Sequence, residues 1–201
     1  MVQMVTNNLD MKRTILILLV SFLFCSCSKE QNFFMSHNHP VGCSSVGDSY
    51  QSGYVAYIFQ VGDAGYVVGQ CHGFVISTSD LSTGIIWHSS TTDGLINTTS
   101  LTFGAGAANT AAIIAAYGSE SNAAKLCNSQ TTGGYTWYLP SRDEWIKIQI
   151  NSVVIGLTGD IYWTSSESTN QAYSWNMRIS DGYNQPQFKT NPYYVRAIHD
   201  F

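Results

Sequence analysis

Charge is what this chain has least of. Asp, Glu, Lys and Arg make up 11% of its 201 residues, where globular proteins carry roughly a quarter. Nine basic residues stand against thirteen acidic ones, for a net charge of −4. No cluster of Lys and Arg is available to neutralise phosphates, which argues against nucleic acid as a partner. No apolar run is long enough to cross a bilayer comfortably. No cysteine follows Cys127, and no Gly-x-Ser-x-Gly turn for an exposed nucleophile is present. No internal repeat is visible. What remains abundant is Ser, Thr, Asn, Gly and Tyr, a composition suited to an extracellular, β-rich domain held by hydrogen bonds.

The first residues read as a leader. Lys12 and Arg13 precede an apolar run from Ile15 to Cys25, a basic segment followed by a short hydrophobic one. Met1–Asp10 adds nothing to that pattern, and Met11 is the expected true start. Ser26 lies directly before Cys27, with no A-x-A-like cleavage site. Residues 1–27 therefore resemble a bacterial lipoprotein signal, with Cys27 as the lipidated residue. Phe24 stands where an aliphatic residue is usual. Several acyl chains on one cysteine would anchor stably in a membrane. Lys29 and Glu30 resemble signals that carry lipoproteins to the cell surface, so the expected location is the outer membrane, facing outward. Residues 28–45 read as a polar tether, in which His37 and His39 lack the further ligands of a metal site.

Residues 46–201 form a single expected domain, large enough for its own core. Three cysteines fall outside the leader, Cys43, Cys71 and Cys127, so at most one bridge can form within the chain. Cys71 with Cys127 is the expected pair, although spacing alone does not fix it. Strands are expected at 53–60, 65–70, 72–77 and 85–87, each bounded by turn residues. From Thr91 to Thr102 the chain is loop-like. Ala-rich 109–118 and 121–128 read as helices, with Gly118 as a C′ stop. Ser141 and Glu144 form a capping box at the start of a third helix. Strands return at 161–167, 174–179 and 193–201. The order strand, helix, strand predicts an α+β fold whose terminal strands meet.

The blocks GDSYQSGYVAYIFQVGDAGYVVGQCHGFVISTSDLSTGIIW, GAGAANTAAII, GGYTWYLPSRDEW, YWTSSE and YYVRAIHDF stand in this order. Together they resemble the bacterial domain family named for the C-terminal domain of a collagen-like adhesin, over about Gly47 to Phe201. The resemblance implies a compact C-type lectin-like fold closed by its C-terminal strand. It also implies adhesion, binding of glycans including sulfated ones, and a homo-trimer. Cys71 and Tyr117 depart from the pattern. Tyr162, Trp163, Ser165, Glu167, Trp175, Gly182, Lys189, Val195 and Arg196 match the frame of the family. Ser168–Gln171, Asn176, Arg178, Ser180, Tyr183–Phe188 and Thr190–Pro192 fall where members differ. Some related lectin-like proteins rewrite such positions by retroelement mutagenesis, which is a further expectation here.

A ligand face is therefore expected over residues 168–192. Its candidate contacts are Tyr173, Trp175, Asn176, Arg178, Ser180, Tyr183, Asn184, Gln187 and Phe188. Tyr and Trp give large contact area at low entropic cost, and Asn and Ser give adaptable hydrogen bonds. The expected partner is a glycan or a protein on another cell or a phage. No cofactor, metal or catalytic residue is expected. Asp143 and Glu144 are adjacent on a helix and make a poor acid–base pair. In NQPQF (184–188), Gln187 replaces the carboxylate a calcium-dependent sugar site would need. The competing readings are a structural subunit of a surface assembly, and an enzyme on the scaffold of formylglycine-generating enzymes, which the LPSRDEW block resembles.

Overall fold

The computed structural model describes residues 43–97 and 99–201. The leader, Cys27 and most of the expected tether lie outside the described residues. The chain runs β1 (Ser49–Tyr50), β2 (Gly53–Ile58), β3 (Gly73–Ser77), β4 (Ser82–Ile85), α1 (Gly106–Tyr117) and α2 (Ala123–Asn128). It continues α3 (Arg142–Gln149), β5 (Ile161–Glu167), β6 (Tyr173–Arg178), β7 (Asn184–Phe188), β8 (Tyr193–Val195) and β9 (Ile198–Asp200). The fold is α+β, as the order of elements predicts. Two sheets form, ordered β1-β2-β3-β9 and β4-β8-β5-β6-β7. All pairings are antiparallel except β5 with β8.

The strands at the centres of the two sheets are the most apolar or the most hydroxyl-rich. Every residue of β3 is buried, which its continuous Gly-Phe-Val-Ile run allows. Strand β5 is buried along nearly its whole length, although its second half is Thr164-Ser165-Ser166. Those hydroxyls are used. Thr164 Oγ1 donates to Trp175 O at 2.9 Å and Ser166 Oγ to Ser100 O at 2.8 Å. Asn109 Nδ2 donates to Ser165 Oγ. The core has two parts. Helix α3 sets Trp145 and Ile148 against Tyr162 and Met177, while α1 and α2 set Ile113, Ala123 and Cys127 against Trp87, Trp137 and Trp163.

The closing segment is not one strand. Residues 193–195 pair in the second sheet and 198–200 in the first, with Arg196 and Ala197 crossing between. Alternation of side chains continues through such a crossing, so a break of two residues leaves no mark on the pattern. Arg196 occupies the crossing and is 1% exposed. Its Nε donates to Ser77 O at 2.7 Å, Nη1 to Gly156 O at 3.0 Å and Nη2 to Ile155 O at 3.3 Å. Asp80 pairs with it at 3.3 Å and also accepts from Tyr162 Oη and Thr158 Oγ1.

Other expectations need correction. The disulfide joins Cys43 to Cys71, with Cα atoms 5.8 Å apart. Cys127 is a free thiol on α2, fully buried among apolar side chains. It cannot reach Cys71, which lies before β3 near the entering chain. The bridge ties Cys43, in the expected tether, to the chain just before β3. Residues 65–70 are turns rather than a strand, consistent with the positive φ of Gly65 and Gly69. The strand expected at 85–87 is β4, ending at Ile85. Gly118 caps α1 with φ −68; a Cβ there would lie 2.4 Å from Ile114 O, so space rather than handedness requires glycine. NQPQF is a true strand, β7. It is an edge strand, where proline is tolerated because its missing N–H points outward.

Two outcomes follow from these contacts. Arg196→Leu leaves Asp80 buried without its cation and should lower unfolding stability by about 3–5 kcal/mol; urea unfolding reads this, and a loss under about 1 kcal/mol would refute it. Peptide mapping without reductant should find Cys43 linked to Cys71. Cys127, whose thiol burial pushes far up, should alkylate only after unfolding.

Candidate functional site

Strands β6 and β7 make a hairpin at the edge of the second sheet. Its register pairs Tyr173 with Phe188, Ser174 with Gln187, Trp175 with Pro186, Asn176 with Gln185 and Met177 with Asn184. Side chains alternate between faces. Tyr173, Trp175 and Met177 therefore share one face with their partners. Met177 enters the core beside α3, and the other two extend the same row outward. The Tyr173 and Phe188 rings stack at 4.5 Å. The Arg142 guanidinium, at the start of α3, sits 5.0 Å from the centroid of the Trp175 ring.

Beside Trp175 lies a groove of about 410 Å³. Leu95, Asn97, Thr99 and Leu101 form one wall. Trp175 and Pro186 form the other, and Glu167, Ser168 and Thr169 complete the lining. The volume falls within the range of small-molecule sites, about 300–1,000 Å³.

The loop wall is held from behind. Ser100 N donates to Asn109 Oδ1 at 2.7 Å, and Asn109 Nδ2 returns a bond to Ser100 O at 2.6 Å. Ile96 N donates to Glu167 Oε2 at 2.8 Å, and Glu167 N donates to Thr99 Oγ1 at 3.1 Å. The other carboxylate oxygen of Glu167 pairs with Lys189 Nζ, both side chains being almost fully buried. Lys189 also lies over the Trp87 ring at 4.8 Å. At the loop's start, His88 contacts Asp93 at 3.0 Å and Glu120, and its ring stacks on Tyr117 at 3.6 Å.

The candidate contacts divide. Tyr173, Trp175 and Phe188 line up on the groove side of the hairpin. Arg178 and Tyr183 meet at the opposite end, guanidinium 5.2 Å from ring centroid, with Asp181 bridging Arg178. Five residues separate Tyr173 from Arg178, roughly 17 Å of strand. Ser180 is exposed in the connecting turn, and Asn184 and Gln187 are half-buried. Asn176 is not available as a surface contact. It is 1% exposed and its Nδ2 has no hydrogen-bond partner; its register pairs it with Trp163, on the face opposite Met177, which is also covered. Leu95, Asn97, Thr99, Leu101 and Arg142 are the site residues that sequence reasoning passes over. The long segment joining β4 to α1 was the available signal, since connections of that length are usually functional.

The carboxyl pushed strongly upward belongs to the frame. Burial pushes Glu144 up to about 7, against the pull of backbone donors Ser141, Gly106 and Gly104 and with a further push from Asp200. It closes the capping box with Ser141. A Cβ on Gly106 would lie 2.3 Å from it, so it has no room for a reactant. Among the described residues no group of three or more His, Cys, Asp and Glu could hold a metal ion. Nor is any described helix long and apolar enough to cross a membrane.

The model of the Lcl C-terminal domain family matches residues 77–199. This chain belongs to the Lcl C-terminal domain family. No curated protein matches it. The matched span runs from the end of β3 to β9 and takes in both groove walls, Arg196 and Lys189. Strands β1 and β2 precede the match and complete the first sheet.

Glu144 gives a pH dependence with a definite sign. Its folded pKa lies above the ordinary 4.5, so the folded state holds a proton that the unfolded state releases. Its contribution is complete below about pH 4.5 and disappears as pH rises through about 7, a loss of about 3 kcal/mol. Urea unfolding across that interval should show the decline in the native chain and not in Glu144→Gln. A native profile that is flat there would contradict it.

Proposed function

We propose that this protein is a surface-anchored lipoprotein whose Lcl C-terminal domain captures a ligand through the Trp175 groove and the adjoining hairpin face. The ligand is a glycan or a protein on another cell or a phage. The observation that carries the reading is Trp175. It is a large aromatic left partly exposed at the wall of a groove, beside a cation and a second aromatic pair. Aromatic and arginine side chains in such settings dominate binding energy. Family membership adds support, since the family takes its name from a surface adhesin. Anchoring rests on the leader and Cys27, and display outside the outer membrane on Lys29 and Glu30.

A binding role is favoured over a catalytic one by how the charged groups are spent. Glu144 is committed to backbone amides, Glu167 to Lys189 and Ile96 N, and Asp80 to Arg196. Trimerisation and retroelement diversification of the hairpin remain part of the proposal. The exposed residues Ser180, Tyr183 and Phe188 suit diversification, since substitutions there disturb few core contacts.

Trp175→Ala should reduce capture of target cells by the full chain at least about tenfold, the usual scale of a central aromatic contact. Its melting temperature should stay within a few degrees of the native value. Equal capture by the folded variant would overturn the groove as the site. Cys27→Ala should shift the chain from the membrane fraction to the soluble fraction, and unchanged fractionation would overturn the anchor.

A further inference from the structure

We infer that the groove takes an uncharged saccharide rather than a sulfated one. The inference rests on the groove being the ligand site and goes further by naming the chemistry that fits it. Glu167 is the only charged residue in the lining. Both of its oxygens are engaged, one by Lys189 Nζ and the other by Ile96 N. Lys189 cannot turn outward, since its side chain is 1% exposed and lies over Trp87. The nearest other cation, Arg142, is bound to Asp143 at 2.7 Å while it covers Trp175. Arg178, at the far end of the hairpin, is held by Asp181. A sulfate entering the groove would thus meet a carboxylate and no unpaired cation. The strongest charge-assisted bonds to oxyanions come from guanidinium or ammonium groups that are not already paired. The net charge of −4 would not steer a polyanion toward it either.

What the groove does offer is a match for a neutral sugar. A sugar ring has an apolar C–H face and a rim of hydroxyls. Trp175, Pro186 and Leu95 supply an apolar surface, and Asn97, Thr99 and Ser168 supply small polar groups along it. Strand addition by a peptide is disfavoured at this edge, because Pro186 at the middle of β7 has no N–H to donate.

The test is a matched pair of probes. Dextran, mannan and xylan, each neutral and as its chemically sulfated derivative, are titrated against the full chain, with Trp175→Phe and Trp175→Ala alongside. The inference expects at least one neutral polymer to bind at least about tenfold more tightly than its sulfated form. That binding should be insensitive to salt, kept largely by Trp175→Phe and lost by Trp175→Ala. Tighter binding of a sulfated form, with affinity that falls as salt rises, would overturn it. Failure to retain any neutral polymer, with Trp175-dependent cell capture intact, would also overturn it while leaving the groove as a ligand site. Cell capture indifferent to Trp175 would remove the groove itself.

Discussion

The guanidinium of Arg196 sits where the chain leaves one sheet for the other, and its donors reach Ser77, Gly156 and Ile155 while Asp80 balances its charge. These contacts gather the end of β3, the turns after α3 and the closing segment into one place. Without a paired and fully bonded cation there, burying the group would cost several kcal/mol. With it, β8 and β9 are fixed to different sheets by a single crossing. The second sheet, which carries the hairpin and the groove, is therefore aligned to the first by a polar knot rather than by apolar packing alone. Tyr162, through its hydroxyl on Asp80, ties the first residues of β5 to the same knot.

Two further buried carboxylates repeat this logic nearer the groove. Glu144 accepts from Gly104, Gly106 and Ser141, which joins the start of α1 to the start of α3. Glu167 joins Lys189 to the 95–101 loop. In a chain so poor in charge, the few ionisable groups that are buried act as clamps between segments distant in sequence. Removing Lys189 would leave Glu167 an uncompensated buried charge, whereas Glu144, its pKa pushed up to about 7, is held by backbone donors. The groove wall inherits its rigidity from them, and a preformed site binds with less ordering cost than a mobile one.

Much of this was legible in sequence. The capping box of Ser141 and Glu144, the bounds of β5, the α+β order and the family itself follow from local pattern or from ordered motifs. Of the frame positions, Tyr162, Trp163, Ser165, Glu167, Lys189, Val195 and Arg196 are buried, whereas Trp175 and Gly182 are partly exposed. The misses have physical reasons. Cysteine spacing carries no geometry, so the Cys43–Cys71 bridge was not readable. The split of 193–201 was hidden because alternation survives the crossing. Asn176 looked like a displayed amide, yet it is paired with Trp163 where the sheet is covered on both faces. The groove needed tertiary structure, since Leu95 and Leu101 are separated from Trp175 by three helices and strand β5.

The hairpin and groove are a display mounted on an independent frame. Residue-resolved hydrogen exchange of the native chain and of a variant with Tyr173, Trp175, Tyr183 and Phe188 replaced by alanine tests this division most directly. Amides of β3, β5, β8 and β9 should exchange only through global unfolding in both proteins, while the 179–183 turn exchanges by smaller openings. Frame amides that open locally in the variant, or β9 opening before the hairpin turn in the native chain, would contradict it.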